Sequence, residues 1–338
     1  MDLSTSYLGL PLRNPLVASA GPLSQTVAGV KALAAGGVGA IVMYSLFEEQ
    51  VRREAERDAL LEELHAESFA EALSYFPSVG PGPDRVASGY LSLVERSAAA
   101  VDVPVIASLN GSSVGSWVSF AHQLQDAGAA AIELNIYFVP GDLSMDGAAV
   151  EQRHVDIVSA VKQAVTVPVA VKLSPAFSSV GHLCQQLVAA GADGLVLFNR
   201  FLQPEIDIET LHVKPSVALS SRFEGRLPRT WIAALSHKLP VSFAATSGVE
   251  EASDLVRYLL AGASVVMSTS ALVRHGAGYS RQLLAGLTDW MDRKGYQRID
   301  EFRGLLAVPD DTDTSAYLRA GYVAALENAK QTYGSMRA

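Results

Sequence analysis

The chain has 338 residues, 49% hydrophobic and 18% charged, a composition that buries a large core and excludes a disordered protein. With 26 Lys and Arg against 35 Asp and Glu, the net charge is −9; no basic block occurs, which excludes the electrostatic footprint of a nucleic-acid binder. The single cysteine, Cys184, excludes an internal disulfide, a thiolate zinc site and an iron–sulfur cluster held by this chain alone, so redox chemistry requires a borrowed cofactor.

Two short phrases alternate along the chain. A proline opening an apolar run (NPLVASAG, 14–21) is followed by an Ala-Gly pair opening another (AGGVGAIV, 35–42). The same alternation returns as VPVIASLN (103–110) and AGAAAIEL (127–134), VPVAVKLS (167–174) and AGADGLVL (190–197), and LPVSFAAT (239–246) and AGASVVMS (261–268). From proline to glycine the four spacings, Pro15 to Gly36, Pro104 to Gly128, Pro168 to Gly191 and Pro240 to Gly262, are those of a strand, a helix and a second strand. Proline is tolerated at a strand's first residue, continuous apolar runs suit strands buried on both faces, and the glycine suits a helix C-cap. Apolar residues at helical period lie between the phrases, including Phe120, Ala121 and Leu124, and Ile157, Val158 and Val161. Four such units make eight parallel strands, which predicts an α/β fold, a (β/α)8 TIM barrel; an open doubly wound sheet would not require eight equivalent units.

A barrel of about 250 residues leaves three segments over. The first, 47–100, follows the second strand with a charged helical stretch and then FPSVGPGPD; the second, 199–228, follows the sixth. The third is a C-terminal helical extension containing TSAYLRAGYVAALENAKQTY. The expected division is one barrel over 1–306, with both insertions on its catalytic face, and a helical tail over 307–338. No run approaches the ~18 apolar residues of a membrane span and no signal peptide opens the chain, so a cytoplasmic protein is expected.

Chemistry in such barrels sits at the C-terminal strand ends. Those ends carry Ser19, Ala20 and Gly21; Tyr44 and Ser45; Asn110; Asn135 and Tyr137; Lys172; Asn199 and Arg200; Thr246, Ser247 and Gly248; Ser268 and Thr269. Small hydroxyl residues after the seventh and eighth strands suit the phosphate site common there, although each alone is also an ordinary N-cap. Lys172 ends a buried apolar strand, where a lysine is costly unless it meets an anion or loses its charge. It is either a Schiff-base nucleophile, as in lysine aldolases, or a fixed cation facing an electron-rich cofactor ring. Glu133 lies two positions before Asn135 on the same side of its strand, as a candidate buried partner for a cation. Asn110 and Asn135 both donate and accept, which suits a ring with mixed hydrogen-bond edges better than a metal. None of the seven histidines falls at a strand's C-terminal end, so no metal is expected.

Taken together, LGLPLRNPLVASAG, VIASLNG, ELN, AVKLSP, Asn199, ATSGV, MSTSAL and RKGYQRIDEFRG resemble the dihydroorotate dehydrogenase family, particularly its soluble class 1 members. The resemblance runs to about residue 306 and implies an FMN-binding oxidoreductase acting on CH–CH bonds in pyrimidine biosynthesis. It places Ser19, Ala20 and Gly21 under the flavin, Asn110, Asn135, Asn199 and Thr246 beside it, Lys172 near its pyrimidine end, and Ser247, Gly248, Ser268 and Thr269 at its phosphate. It also implies a small-molecule substrate, a homodimer and a separate electron-transfer partner.

The departures lie on the substrate side. The family's loop after the fourth strand carries a cysteine or serine base; here it reads NIYFVPGDLS. The lysine expected after the second strand is Tyr44, and the glycine-rich turn before the seventh strand is SSRFEG. Tyr44, Ser45, Asn110, Asn135, Tyr137 and Asn199 are the expected substrate pocket, and Tyr137 is the candidate acid/base. Without the loop base, turnover of dihydroorotate is not expected. A Schiff-base aldolase using Lys172, a flavin-binding protein without dihydroorotate turnover, and a dihydroorotate dehydrogenase with a substitute base are the alternatives.

Overall fold

The structure is a computed structural model that describes residues 1–51, 86–111, 117–200, 204–214 and 216–334. Its strands are β1 (Thr5–Tyr7), β2 (Leu10–Leu12), β3 (Leu16–Ala18), β4 (Ala40–Val42), β5 (Leu46–Phe47), β6 (Val105–Asn110), β7 (Ala131–Asn135), β8 (Val169–Leu173), β9 (Gly194–Leu197), β10 (Glu205–Asp207), β11 (His212–Lys214), β12 (Ser242–Ala245) and β13 (Val265–Ser268). Eight of these, β3, β4, β6, β7, β8, β9, β12 and β13, pair in parallel in that order. The β4–β6 pairing and the β13–β3 pairing close the ring. Each barrel strand begins inside one of the eight apolar phrases.

Helices cover the outside: α1 (Val27–Gly36), α2 (Val86–Ala98), α3 (Trp117–Asp126), α4 (Gly147–Ala164), α5 (Val180–Ala189), α6 (Arg226–Leu235), α7 (Ala252–Leu260), α8 (Ser270–His275) and α9 (Tyr279–Lys294), with α10 (Thr314–Tyr333) beyond them. Gly128, Gly191 and Gly262 end their helices at positive φ, as the Ala-Gly phrases require. In the first unit the left-handed cap is Gly37 instead of Gly36. Gly36 stays inside α1 because a Cβ there would stand 2.4 Å from the Ala277 carbonyl oxygen. The segment 47–100 also holds the barrel's own second helix: α2 buries Tyr90, Leu93 and Val94. The charged helical stretch and FPSVGPGPD before it lie outside the described residues, apart from the first few positions, as does Val114.

The period-2 alternation of each strand sorts its side chains. In β7, Ile132 and Leu134 face the helices, whereas Ala131 joins the barrel interior. The interior is lined by small residues near its N-terminal end, among them Ala40, Ala131, Ala170 and Ala244. The β1–β2 hairpin fills the space they leave. Its turn, Leu8–Gly9, has φ of 56° and 76°, the handedness of a tight two-residue hairpin, and Tyr7, Leu8 and Leu12 are packed into the interior cluster. A Cβ on Gly194 would lie 2.4 Å from Leu8 Cδ2, so a glycine there lets the plug seat. With the N-terminal end plugged, the interior opens at the strands' C-terminal ends.

Candidate active site

Toward that open end the inward positions become polar. In the registers Asn110↔Asn135 and Asn135↔Lys172, three polar strand ends stand in one row across β6, β7 and β8. A cavity of about 860 Å³ lies over them, within the size range of small-molecule sites. Lys172, Asn110 and Asn135 line it together with Ser19, Ala20 and Gly21. So do Asn199, Thr246, Ser247 and Gly248, then Ser268 and Thr269, and on the opposite wall Tyr44, Ser45 and Tyr137. Every residue predicted for the site borders this one cavity.

Lys172 is 7% exposed. Its Nζ donates to Glu133 Oε1 and to Ser19 Oγ, each at 3.4 Å. The Asn199 amide donates to Asn135 Oδ1 at 2.8 Å, which fixes both amides. Thr269 Oγ1 donates to the Ser19 carbonyl at 3.1 Å, and a Cβ on Gly21 would stand 2.5 Å from Thr269 Cγ2. The ends of β3 and β13 therefore lock together under the cavity.

The turn after β12 has Ser247 and Gly248 at φ of 77° and 69°, two successive left-handed residues whose backbone is fixed from several sides. Tyr258 Oη donates to the Ser247 carbonyl at 2.7 Å, the Gly248 N–H donates to Ser220 Oγ at 3.3 Å, and Ser220 Oγ donates to Ser270 Oγ at 2.9 Å. Ser220 is a residue that sequence reasoning missed; its signal lay in the hydroxyl pair of SSRFEG, which stands where the resemblance expects glycines.

On the opposite wall, Tyr44 packs edge-on against Tyr90, with ring centroids 5.1 Å apart, and burial raises its phenol above the ordinary value. Tyr90 Oη sits in a gap in the β4–β6 ladder, donating to the Ser108 carbonyl and accepting from the Ser108 N–H, both at 3.0 Å. The loop after β7 is anchored by Phe138, whose ring lies 4.6 Å from the Arg153 guanidinium and 5.7 Å from the His154 ring. Burial pushes the His154 imidazole below its ordinary value. Cys184 cannot replace a loop base: it is buried in α5, and burial raises its thiol to about 12. Arg200, also on the cavity wall, is tied to Glu224 at 2.8 Å. Among the described residues no group of His, Cys, Asp and Glu could hold a metal ion, and no helix is long and apolar enough to cross a membrane.

A closed (β/α)8 barrel, plugged at one end and carrying a polar cavity at the C-terminal strand ends, is the architecture of a barrel enzyme. The chain belongs to the dihydroorotate dehydrogenase family, whose model matches residues 2–291, and is thus an oxidoreductase of that type. The catalytic subunit of dihydroorotate dehydrogenase B (NAD(+)) from Methanothermobacter thermautotrophicus is 28% identical over 313 residues, covering 90% of this chain and 98% of its own. The subunit of the same name from Thermoplasma acidophilum is 27% identical with the same coverage. That from Bacillus pumilus is 31% identical over 60% of this chain and 65% of its own.

Proposed function

We propose that this chain is an FMN-dependent oxidoreductase whose substrate pocket has diverged from one that oxidises dihydroorotate. The observation that carries this is Lys172, a buried ammonium held at the cavity floor between Glu133 and Ser19, in the same cavity as the left-handed Ser247–Gly248 turn. The donor set fits FMN. Ser247, Gly248, Ser268 and Thr269 would hold its phosphate, Asn110, Asn135 and Asn199 would meet the donor and acceptor edges of its ring beside Thr246, and Ser19, Ala20 and Gly21 would lie beneath. When bound, FMN supplies a two-electron acceptor for hydride at N5. Lys172 supplies positive charge where negative charge develops, a preorganised electrostatic contribution. The Lys172–Glu133 ion pair supports a fixed cation over the Schiff-base nucleophile of an aldolase.

Tyr44, Ser45 and Tyr137 form the substrate wall, with Tyr137 two residues beyond Asn135. The absence of a cysteine or serine at the family's base position in the loop removes general-base help worth typically 10²–10⁴-fold. Among the described cavity residues, Arg200 is already paired with Glu224 and Lys172 is assigned to the flavin, which disfavours an anionic substrate such as dihydroorotate. The β10–β11 ribbon presents Ile206 and Val213 as a cross-strand pair, 66% and 65% exposed, an apolar face that supports a homodimer. A separate electron-transfer partner and a cytoplasmic location complete this reading. Anaerobic mixing with dihydroorotate tests it: the bound flavin should keep its visible absorbance while dithionite bleaches it. Rapid bleaching by dihydroorotate would refute the divergence.

A further inference from the structure

We infer that Glu133 is a positioning residue for Lys172, keeping that amine charged at the cavity floor and so setting the charge that meets the cofactor; this rests on the FMN reading above. Glu133 pairs in register with Ser108 and Ala170, one inward position below Asn135 on the same strand. It is 1% exposed, and among the described residues its only ion-pair partner is Lys172, 3.4 Å away. Its second oxygen, Oε2, has no hydrogen-bond partner among the described residues.

A pair built for stability would look different. Tight charge-assisted hydrogen bonds are about 2.7–2.9 Å long, and a buried ion pair is often no more stabilising than an apolar pair of the same volume. The other ionisable groups packed around Glu133 are phenols: Tyr7 of the plug and Tyr90 of α2, both raised chiefly by burial and additionally by the charge of Glu133. Neither supplies a counter-charge. On the cavity side the ionisable neighbours are Tyr44, Tyr137, Glu205 and Arg200, the last neutralised by Glu224. Among the described residues Lys172 thus meets one carboxylate, and its Nζ donates to Glu133 and Ser19 where the side chain lines the cavity.

The test is the midpoint potential of the FMN-loaded protein as a function of pH, in wild type and Glu133→Gln. An ammonium deprived of its counter-charge in a buried site gives up its proton more readily. Near pH 9 the variant's reduction equilibrium should therefore fall ~10-fold below wild type, about 30 mV for a two-electron couple. Toward roughly pH 6, as the amine regains its proton, the gap should close and then reverse, because the variant carries the cation without the carboxylate. Curves that coincide or run parallel would overturn the inference, because a merely structural role gives no pH-dependent difference. Glu133→Asp keeps a carboxylate and should show the same trend with a smaller gap; it serves as the test if the glutamine variant does not fold, and a curve coincident with wild type would then overturn the inference. Wild type that takes up no FMN would overturn both readings, whereas FMN-loaded wild type with parallel curves would overturn this one alone.

Discussion

Gly248→Ala is the most exacting perturbation of the turn assigned to the phosphate. The residue has φ of 69°, and a Cβ built on it would stand 2.6 Å from the Gly225 nitrogen, 2.9 Å from the Ser221 carbonyl oxygen and 3.0 Å from Gly225 Cα. All three contacts are backbone, so no side chain can swing aside. The left-handed conformation costs an alanine about 1–2 kcal/mol, and forced overpacking adds about 1–3 kcal/mol. Gly295→Ala isolates the first cost, since Gly295 is left-handed at φ of 80° but nothing lies within 4 Å of the added Cβ. Thermal unfolding at matched flavin occupancy should show a loss of roughly 5–10 °C for Gly248→Ala and about 2–4 °C for Gly295→Ala. Flavin affinity should fall by more than about tenfold in the first and hold in the second, because only the first displaces a backbone N–H from the proposed phosphate seat. Equal losses in both variants, or unchanged flavin affinity in Gly248→Ala, would refute the reasoning.

Three further outcomes follow from the same geometry. Leu8→Ala empties the plug and should cost about 2–5 kcal/mol in denaturant unfolding while the folded fraction keeps its flavin; loss of flavin in step with stability would contradict a plug that acts only on packing. Tyr90→Phe strands the Ser108 N–H and carbonyl and should cost about 1–3 kcal/mol, while the ring that meets Tyr44 edge-on is kept; an unchanged unfolding midpoint would contradict it. Tyr137→Phe should leave FMN affinity unchanged and lower kcat/KM for the true substrate; a loss of FMN affinity would move Tyr137 from the substrate wall to the cofactor seat.

The barrel was legible because its signals are local. Each strand announces itself through a proline or Ala-Gly pair and an apolar run, and three of the four Ala-Gly glycines are left-handed helix caps. The polar strand ends were legible for the same reason: parallel register carries the last inward residue of every strand to one mouth, as Asn110, Asn135 and Lys172 show. What escaped was long-range. Tyr7 and Leu8 carry no local sign of a plug; only the small interior residues, above all Gly194, leave them a socket. Tyr90 belongs to a segment taken wholly as insertion, and only its contact with Ser108 reveals a barrel helix. The Ser220–Ser270 contact joins residues 50 positions apart, which no local pattern encodes. Lys172 could be read as nucleophile or fixed cation from sequence; the proposal of a fixed cation rests on the 3.4 Å approach of Glu133, which no local pattern encodes.

The central claim, that this barrel holds FMN without covalent attachment, is tested most directly by the visible spectrum of the purified protein and the identity of the flavin it releases on heat denaturation. The account predicts flavin absorbance in the protein, taken up on incubation with FMN if absent at first, and FMN in the supernatant with none left on the polypeptide. Released FAD, or a protein that stays colourless after incubation with FMN, would contradict it.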